Sequence, residues 1–142
     1  MDVAQLIAIE EIKQLKARYF RFMDTKRWKD LLEVFSEDAV LDAPESEIHQ
    51  EGRQNIVDFM ERRNGPSLSV HHGHTPEIEI LDEVTARGIW SMFDHVERPH
   101  GERGRWIQHG YGHYLEEYTK ADGQWRIRHL RLTRLKVTHT YE

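Results

Sequence analysis

From Ser67 onward the chain reads as four extended segments of ten or more residues, over about 67–80, 84–96, 104–118 and 124–137. Ordinary strands run to about five or six residues. Strands this long twist and coil, so a sheet built from them curves around a space instead of lying flat. Leu81-Asp82-Glu83, Pro99-His100-Gly101-Glu102 and Ala121-Asp122-Gly123 break the segments. Asp122-Gly123 between two alternating runs is a strong hairpin signal. The second half of the chain is therefore expected to form a curved meander that wraps a cavity.

The first half carries the helical period. Over 4–23, Ile12, Leu15, Tyr19, Phe22 and Met23 fall on one stripe, and Glu10, Glu11, Lys13, Lys16 and Arg18 are assigned to the remaining surface. A second helix is expected from Trp28 to Phe35, closed by Ser36-Glu37-Asp38, then a short strand Ala39–Asp42 with its turn at Ala43–Ser46. Gly52 precedes a third helix over Arg53–Arg63, with Ile56, Phe59 and Met60 inward and Asn64-Gly65-Pro66 ending it. Helices followed by meandering strands give an α+β class, with the helices packed on one face of an antiparallel sheet.

At 142 residues the chain is expected to be one domain over 1–142. It has no cysteine, which removes disulfides, thiolate nucleophiles and iron–sulfur ligation. The net charge is −5 with signs interspersed, which argues against nucleic acid or an anionic membrane surface as partner. No apolar run approaches the roughly 18–20 residues of a span, and Met1-Asp2-Val3-Ala4-Gln5 lacks the basic and apolar regions of a signal peptide. The expectation is a soluble, cytoplasmic domain. Gly-rich phosphate loops, Rossmann fingerprints and nucleophile elbows are missing from the sequence, which leaves histidine tuned by carboxylates as the group able to work near neutral pH. There are ten histidines.

Several residues could carry that chemistry. Asp24 ends the first helix, where a carboxylate faces the negative end of the dipole, and from position alone it reads first as a solvated turn residue. Tyr19, on the stripe, reads as core or as site. In Ser69-Val70-His71-His72-Gly73-His74-Thr75-Pro76, strand alternation puts His72 and His74 on one face and His71 on the other. A His72/His74 pair could chelate a metal if a third ligand came from another strand, whereas His109 and His113, roughly 13 Å apart along a strand, could not. Asp94 shares parity with Trp90 and Met92 and therefore needs a partner in apolar surroundings. Arg134, with the parity of Leu130 and Leu132, could be that partner.

Taken in order, Ile12-Lys13-Gln14-Leu15-Lys16 leading to Tyr19-Phe20-Arg21, then Asp24 and Trp28, the His71–Ile78 run, Gly88-Ile89-Trp90 leading to Asp94, Asp122-Gly123-Gln124-Trp125 and Arg134 make a specific pattern. It resembles the SnoaL-like branch of the NTF2-like, cone-fold superfamily, and within it is most similar to the bile-acid 7α-dehydratases. The resemblance implies a cone-shaped α+β barrel with N-terminal helices on a strongly curved antiparallel sheet. It also implies catalytic residues Asp24, His71 and Tyr19, substrate-positioning residues Asp94, Arg134 and His74, and no cofactor or metal. His74 has the weakest claim, because alternation turns it away from His71. The implied activity is a cofactor-independent dehydratase, a lyase removing water from a hydrophobic hydroxylated ring compound that is steroid-like, polycyclic or aromatic. The alternatives are an isomerase using the same proton abstraction, and a non-catalytic ligand-binding or oxygenase small-subunit-like cone domain. A curved sheet also leaves an outer face to cover. A homo-oligomer, dimer or trimer, is expected, with Trp106, Tyr111 and Tyr114 on that surface.

Overall fold

The computed structural model describes residues 1–100 and 104–142. Helix α1 spans Val3–Asp24 and starts at a capping box, in which the Asp2 side chain accepts from the Gln5 backbone N–H (2.8 Å) and Gln5 returns the bond (3.0 Å). Then come α2 (Trp28–Leu32), β1 (Phe35–Ala43), a 3₁₀ turn at Pro44–Ser46, β2 (Ile48–Glu51), α3 (Arg53–Asn64), β3 (Leu68–Ile80), β4 (Thr85–Pro99), β5 (Arg105–Ala121) and β6 (Gln124–Tyr141). The four long strands are present, and β4, β5 and β6 are longer than the sequence pattern implies. Residues 101 and 102 of the expected break after Pro99 lie outside the described residues. Ala121 pairs with Gln124, and the two residues between them, Asp122 and Gly123, have φ of 53° and 75°. That left-handed pair matches the right-handed twist of a two-residue hairpin.

The sheet order is β2-β1-β6-β5-β4-β3. The expected α+β arrangement of N-terminal helices on one sheet is present, and two details refine it. The sheet is mixed, because β1 runs parallel to β6 while every other pairing is antiparallel. It is also open, with β2 and β3 as its edges, and not a closed barrel. The parallel pairing explains why α2 stops at Leu32, before Phe35. The Ile127 amide donates to the Val34 carbonyl (2.8 Å) and Phe35 pairs with Ile127, so the sheet claims the residues that local periodicity assigned to a helix. The edge strand β2, four residues of largely polar Ile48-His49-Gln50-Glu51, carried no hydrophobic alternation by which to find it.

Helix α1 packs on β3 and β6 and α3 packs on β1, which places the core between the helices and the concave face of the sheet. Ile12, Leu15 and Met23 from α1 meet Trp90, Met92, Tyr118, Ile127 and Leu130 from the strands. Lys16 lies on this inward stripe, four residues after Ile12, and is fully buried rather than on the surface. Its ammonium bonds Glu116 on β5 and sits between the rings of Tyr19 and Tyr114, 3.8 and 3.7 Å from their centroids. Tyr114 was expected on the outer face and is 2% exposed. It lies three positions after Tyr111, so the two point to opposite sides of β5.

Candidate active site

A cavity opens between the sheet and α3, and its lining includes Tyr19, Met23, Met60, His71, Asp94, Tyr114, Leu130 and Arg134. Its volume is about 90 Å³. Tyr19, Met23, Tyr114 and Leu130 form the buried floor, and exposed Ser46 and Arg63 stand at the rim.

Asp24, the last residue of α1, reaches β3 and is fixed there at three points. Its Oδ1 accepts from Ser69 Oγ (3.0 Å) and lies 2.6 Å from His71 Nδ1, while Oδ2 accepts from the His71 backbone amide (2.8 Å). A carboxylate accepts only, so the Nδ1 contact is an N–H donated by the imidazole. The neutral ring then carries its lone pair on Nε2, and His71 lines the cavity. This arrangement can take a proton and stabilise the resulting imidazolium.

Beside this dyad, Arg134 on β6 donates two bonds to Asp94 on β4, NH1 to Oδ1 at 3.2 Å and NH2 to Oδ2 at 3.0 Å. The pair is nearly buried, with the Asp94 side chain 5% and the Arg134 side chain 17% exposed. Gly110 on β5 lies opposite Asp94 in the ladder. A Cβ there would overlap the Arg134 guanidinium and the Asp94 carboxylate, so the bare backbone is what lets the two meet. The β5–β6 register shifts between Tyr111 and Gly112, beyond Arg134, and the parity of Leu130, Leu132 and Arg134 is kept.

The phenols of Tyr19 and Tyr114 complete the floor. Burial first, then nearby carboxylates including Glu116 and Asp94, pushes both pKa values up, so both remain neutral O–H donors. Behind them Glu116 accepts from Lys16 and from the Tyr118 hydroxyl (2.7 Å), which in turn accepts from the Trp90 indole N–H (2.8 Å).

The structure thus brings together Asp24, His71, Tyr19, Asp94 and Arg134. It does not bring in His74. That residue stands exposed on the outer face with His72, ring centroids 5.7 Å apart, and is outside the cavity lining. Among the described residues no group of three or more His, Asp or Glu gathers as metal ligands. Other histidines join surface networks: His49 and His129 bond Asp42, and His95 links His109 to Glu97. Gly110, Arg63 and Arg98 belong to the site and are not singled out from sequence, and Tyr114, expected from sequence on the outer surface, belongs to it too. Parity with Asp94 on β4 was the signal available for Arg98, and an isolated strand glycine for Gly110. Among the described residues no helix is long and apolar enough to cross a membrane.

The profile of the SnoaL-like domain family matches residues 4–131. Among solved structures, a candidate scytalone dehydratase from Novosphingobium aromaticivorans is 24% identical, with a TM-score of 0.85 over 97% of this chain and 91% of that one. A hexachlorocyclohexane dehydrochlorinase (LinA type 2) is 18% identical, with a TM-score of 0.87 over 99% and 93%. A protein of unknown function from Mycobacterium tuberculosis is 26% identical, with a TM-score of 0.77 over 92% of this chain and 73% of that one. The two likenesses below 25% identity speak for the fold alone.

Proposed function

Because the chain belongs to the SnoaL-like domain family, we propose that it is a cofactor-independent dehydratase acting on a hydroxylated ring compound, with Asp24 and His71 as its acid–base dyad. The observation that carries this reading is the three-point fixation of Asp24, once by Ser69 and twice by His71, at the wall of a cavity that also holds neutral phenols and a buried Asp94–Arg134 pair. In the proposed reaction His71 Nε2 takes the proton from a carbon adjacent to an activating carbonyl or conjugated system. The C–H electrons form the new double bond and the C–O bond breaks. The departing hydroxyl, hydrogen-bonded by Tyr19, leaves as water with the proton returned from His71, and the enzyme ends as it began. Asp24 holds the imidazole tautomer and the Arg134–Asp94 pair positions the activating oxygen.

An apolar cavity of roughly 150 Å³ takes up benzene, so a cavity of about 90 Å³ encloses the reacting edge of one ring. A polycyclic or steroid-like skeleton would project through the rim. We also expect a homo-oligomer, dimer or trimer, because Ile89, Tyr111 and Leu115 stand exposed on the outer face of the sheet.

The test is turnover of hydroxylated ring compounds, followed by water loss and by deuterium uptake from D₂O. Asp24→Asn and His71→Ala are each expected to lower kcat by about 10³-fold or more while fold and ligand binding persist. Full activity in either variant would remove the dyad. Solvent deuterium in a product that has lost no water would reassign the protein as an isomerase.

A further inference from the structure

We propose that the rim of the cavity binds a carboxylate through Arg98 and Arg63, so that the substrate is a hydroxylated ring acid and not a neutral ring alcohol. The choice of substrate rests on the elimination reading above; the anion site itself does not.

Three guanidinium groups, Arg63, Arg98 and Arg134, line a cavity whose only lining carboxylate among the described residues is Asp94. Asp94 is already committed to Arg134 by two bonds. Arg98 lies four residues beyond Asp94 on the same face of β4, and its buried Nε–H finds no acceptor among the described residues. A buried donor is costly to leave without an acceptor, which points to one supplied from outside the chain. Aromatic rings hold the two rim arginines where carboxylates ordinarily would: Arg98 lies over Trp106 at 5.3 Å and Arg63 over Phe59 at 6.0 Å. Stacking fixes a guanidinium and leaves its in-plane donors free for a planar, two-oxygen acceptor.

The arginines also sense one another. Partial burial, then the charges of Arg98 and Arg134, lowers the Arg63 pKa, and Asp94 only partly offsets this. Positive charge that meets no carboxylate other than Asp94 among the described lining residues, in a chain of net charge −5, makes a local attractor for anions. A monoanion fits better than a phosphate dianion, because the Asp94 carboxylate stands in the same cavity and repels the second charge.

The experiment is calorimetric titration of the full chain with benzoate and with benzamide, which share a shape and differ in charge. Benzoate is expected to bind about tenfold or more tighter than benzamide, and added salt is expected to weaken benzoate alone. Arg98→Met and Arg63→Met, which keep the aliphatic stem, are expected to erase the preference and leave benzamide affinity unchanged. Equal affinities, no binding of either probe, a salt-independent preference, or a preference intact in both variants would each overturn the proposal. The salt titration uses the unmodified protein, so the idea stays open to refutation even if a variant fails to fold. A protein that prefers benzoate yet removes water from no ring acid keeps the anion site and loses the dehydratase reading. One that dehydrates neutral ring alcohols with no preference for acids does the reverse.

Discussion

His71 and Asp94 face each other directly across the β3–β4 ladder. On the other side of Asp94 its partner is Gly110. One row across the sheet therefore carries the proposed base, the carboxylate that holds Arg134, and the gap that makes room for both. Opposed residues on one face have Cβ atoms about 4.5–5.5 Å apart, so a shift anywhere in the row is felt at the dyad.

Gly110→Ala tests that row. The added methyl must displace the Arg134 guanidinium or the Asp94 carboxylate. Overpacking of this kind costs about 1–3 kcal/mol, and misplacing the pair by about 1 Å is expected to lower kcat by about 10²-fold. Chemical denaturation and steady-state kinetics on one preparation check both. Unchanged turnover would take the Asp94–Arg134 geometry out of the reaction.

The two floor phenols should separate catalysis from stability. Neither hydroxyl is held by a hydrogen bond to a described residue, and both stay protonated because burial raises their pKa. Tyr19→Phe is therefore expected to leave the melting temperature nearly unchanged and to lower kcat by about 10- to 10³-fold. Tyr114→Phe should show the same split if the leaving oxygen lies between the two. A drop in stability without a drop in kcat would make them packing residues.

Much of this site was legible because its signals are local. Helical period placed Tyr19, the helix end placed Asp24, strand parity separated His71 from His72 and His74, and parity again paired Asp94 with Arg134 in expectation, while their joint role as a site came from the family resemblance. What escaped depends on neighbours distant in sequence. Lys16 looks like a surface residue until Glu116, a hundred positions later, supplies its partner. The parallel β1–β6 pairing converts Phe35 from helix to strand through Ile127. Arg98 acquires meaning only when α3 brings Arg63 to the same rim.

The Asp42 cluster on the β1–β2 edge predicts a pH window. Hydrogen bonds to Asp42 and Glu51 raise the His49 pKa above 6.5, and the bond from His49, with that from His129, lowers the Asp42 pKa below 3.8. The His49 contribution is complete below 6.5 and is lost as pH rises through its folded value. The Asp42 contribution is present above 3.8 and is lost as pH falls through its folded value. His49→Ala is thus expected to lower the melting temperature near about pH 5.5 and to leave it unchanged near about pH 9. Equal effects at both would mean that packing, not charge, is what His49 supplies.

Lys16 offers the sharpest test of the buried frame behind the cavity. Burial lowers its pKa to about 8 even though the Glu116 charge and hydrogen bond pull the other way. Near neutral pH it is an ammonium, so Lys16→Met strands the Glu116 carboxylate without its cation and is expected to cost about 3–5 kcal/mol. The Tyr118 hydroxyl remains bonded to Glu116 in that variant, which cannot replace a full charge. Adding Glu116→Gln to Lys16→Met removes the stranded charge and should recover a large part of the loss, a coupling that urea denaturation of both single variants and the double variant measures directly. The sign with pH is also fixed. The unfolded chain holds the Lys16 proton up to 10.5 and the folded one only to about 8, so between these values the unfolded state binds more protons. The contribution of this group to stability therefore increases as pH climbs through that range, and Lys16→Met should lose that slope. A Lys16→Met protein as stable as the parent at neutral pH would mean that Glu116 takes up a proton when its partner is gone.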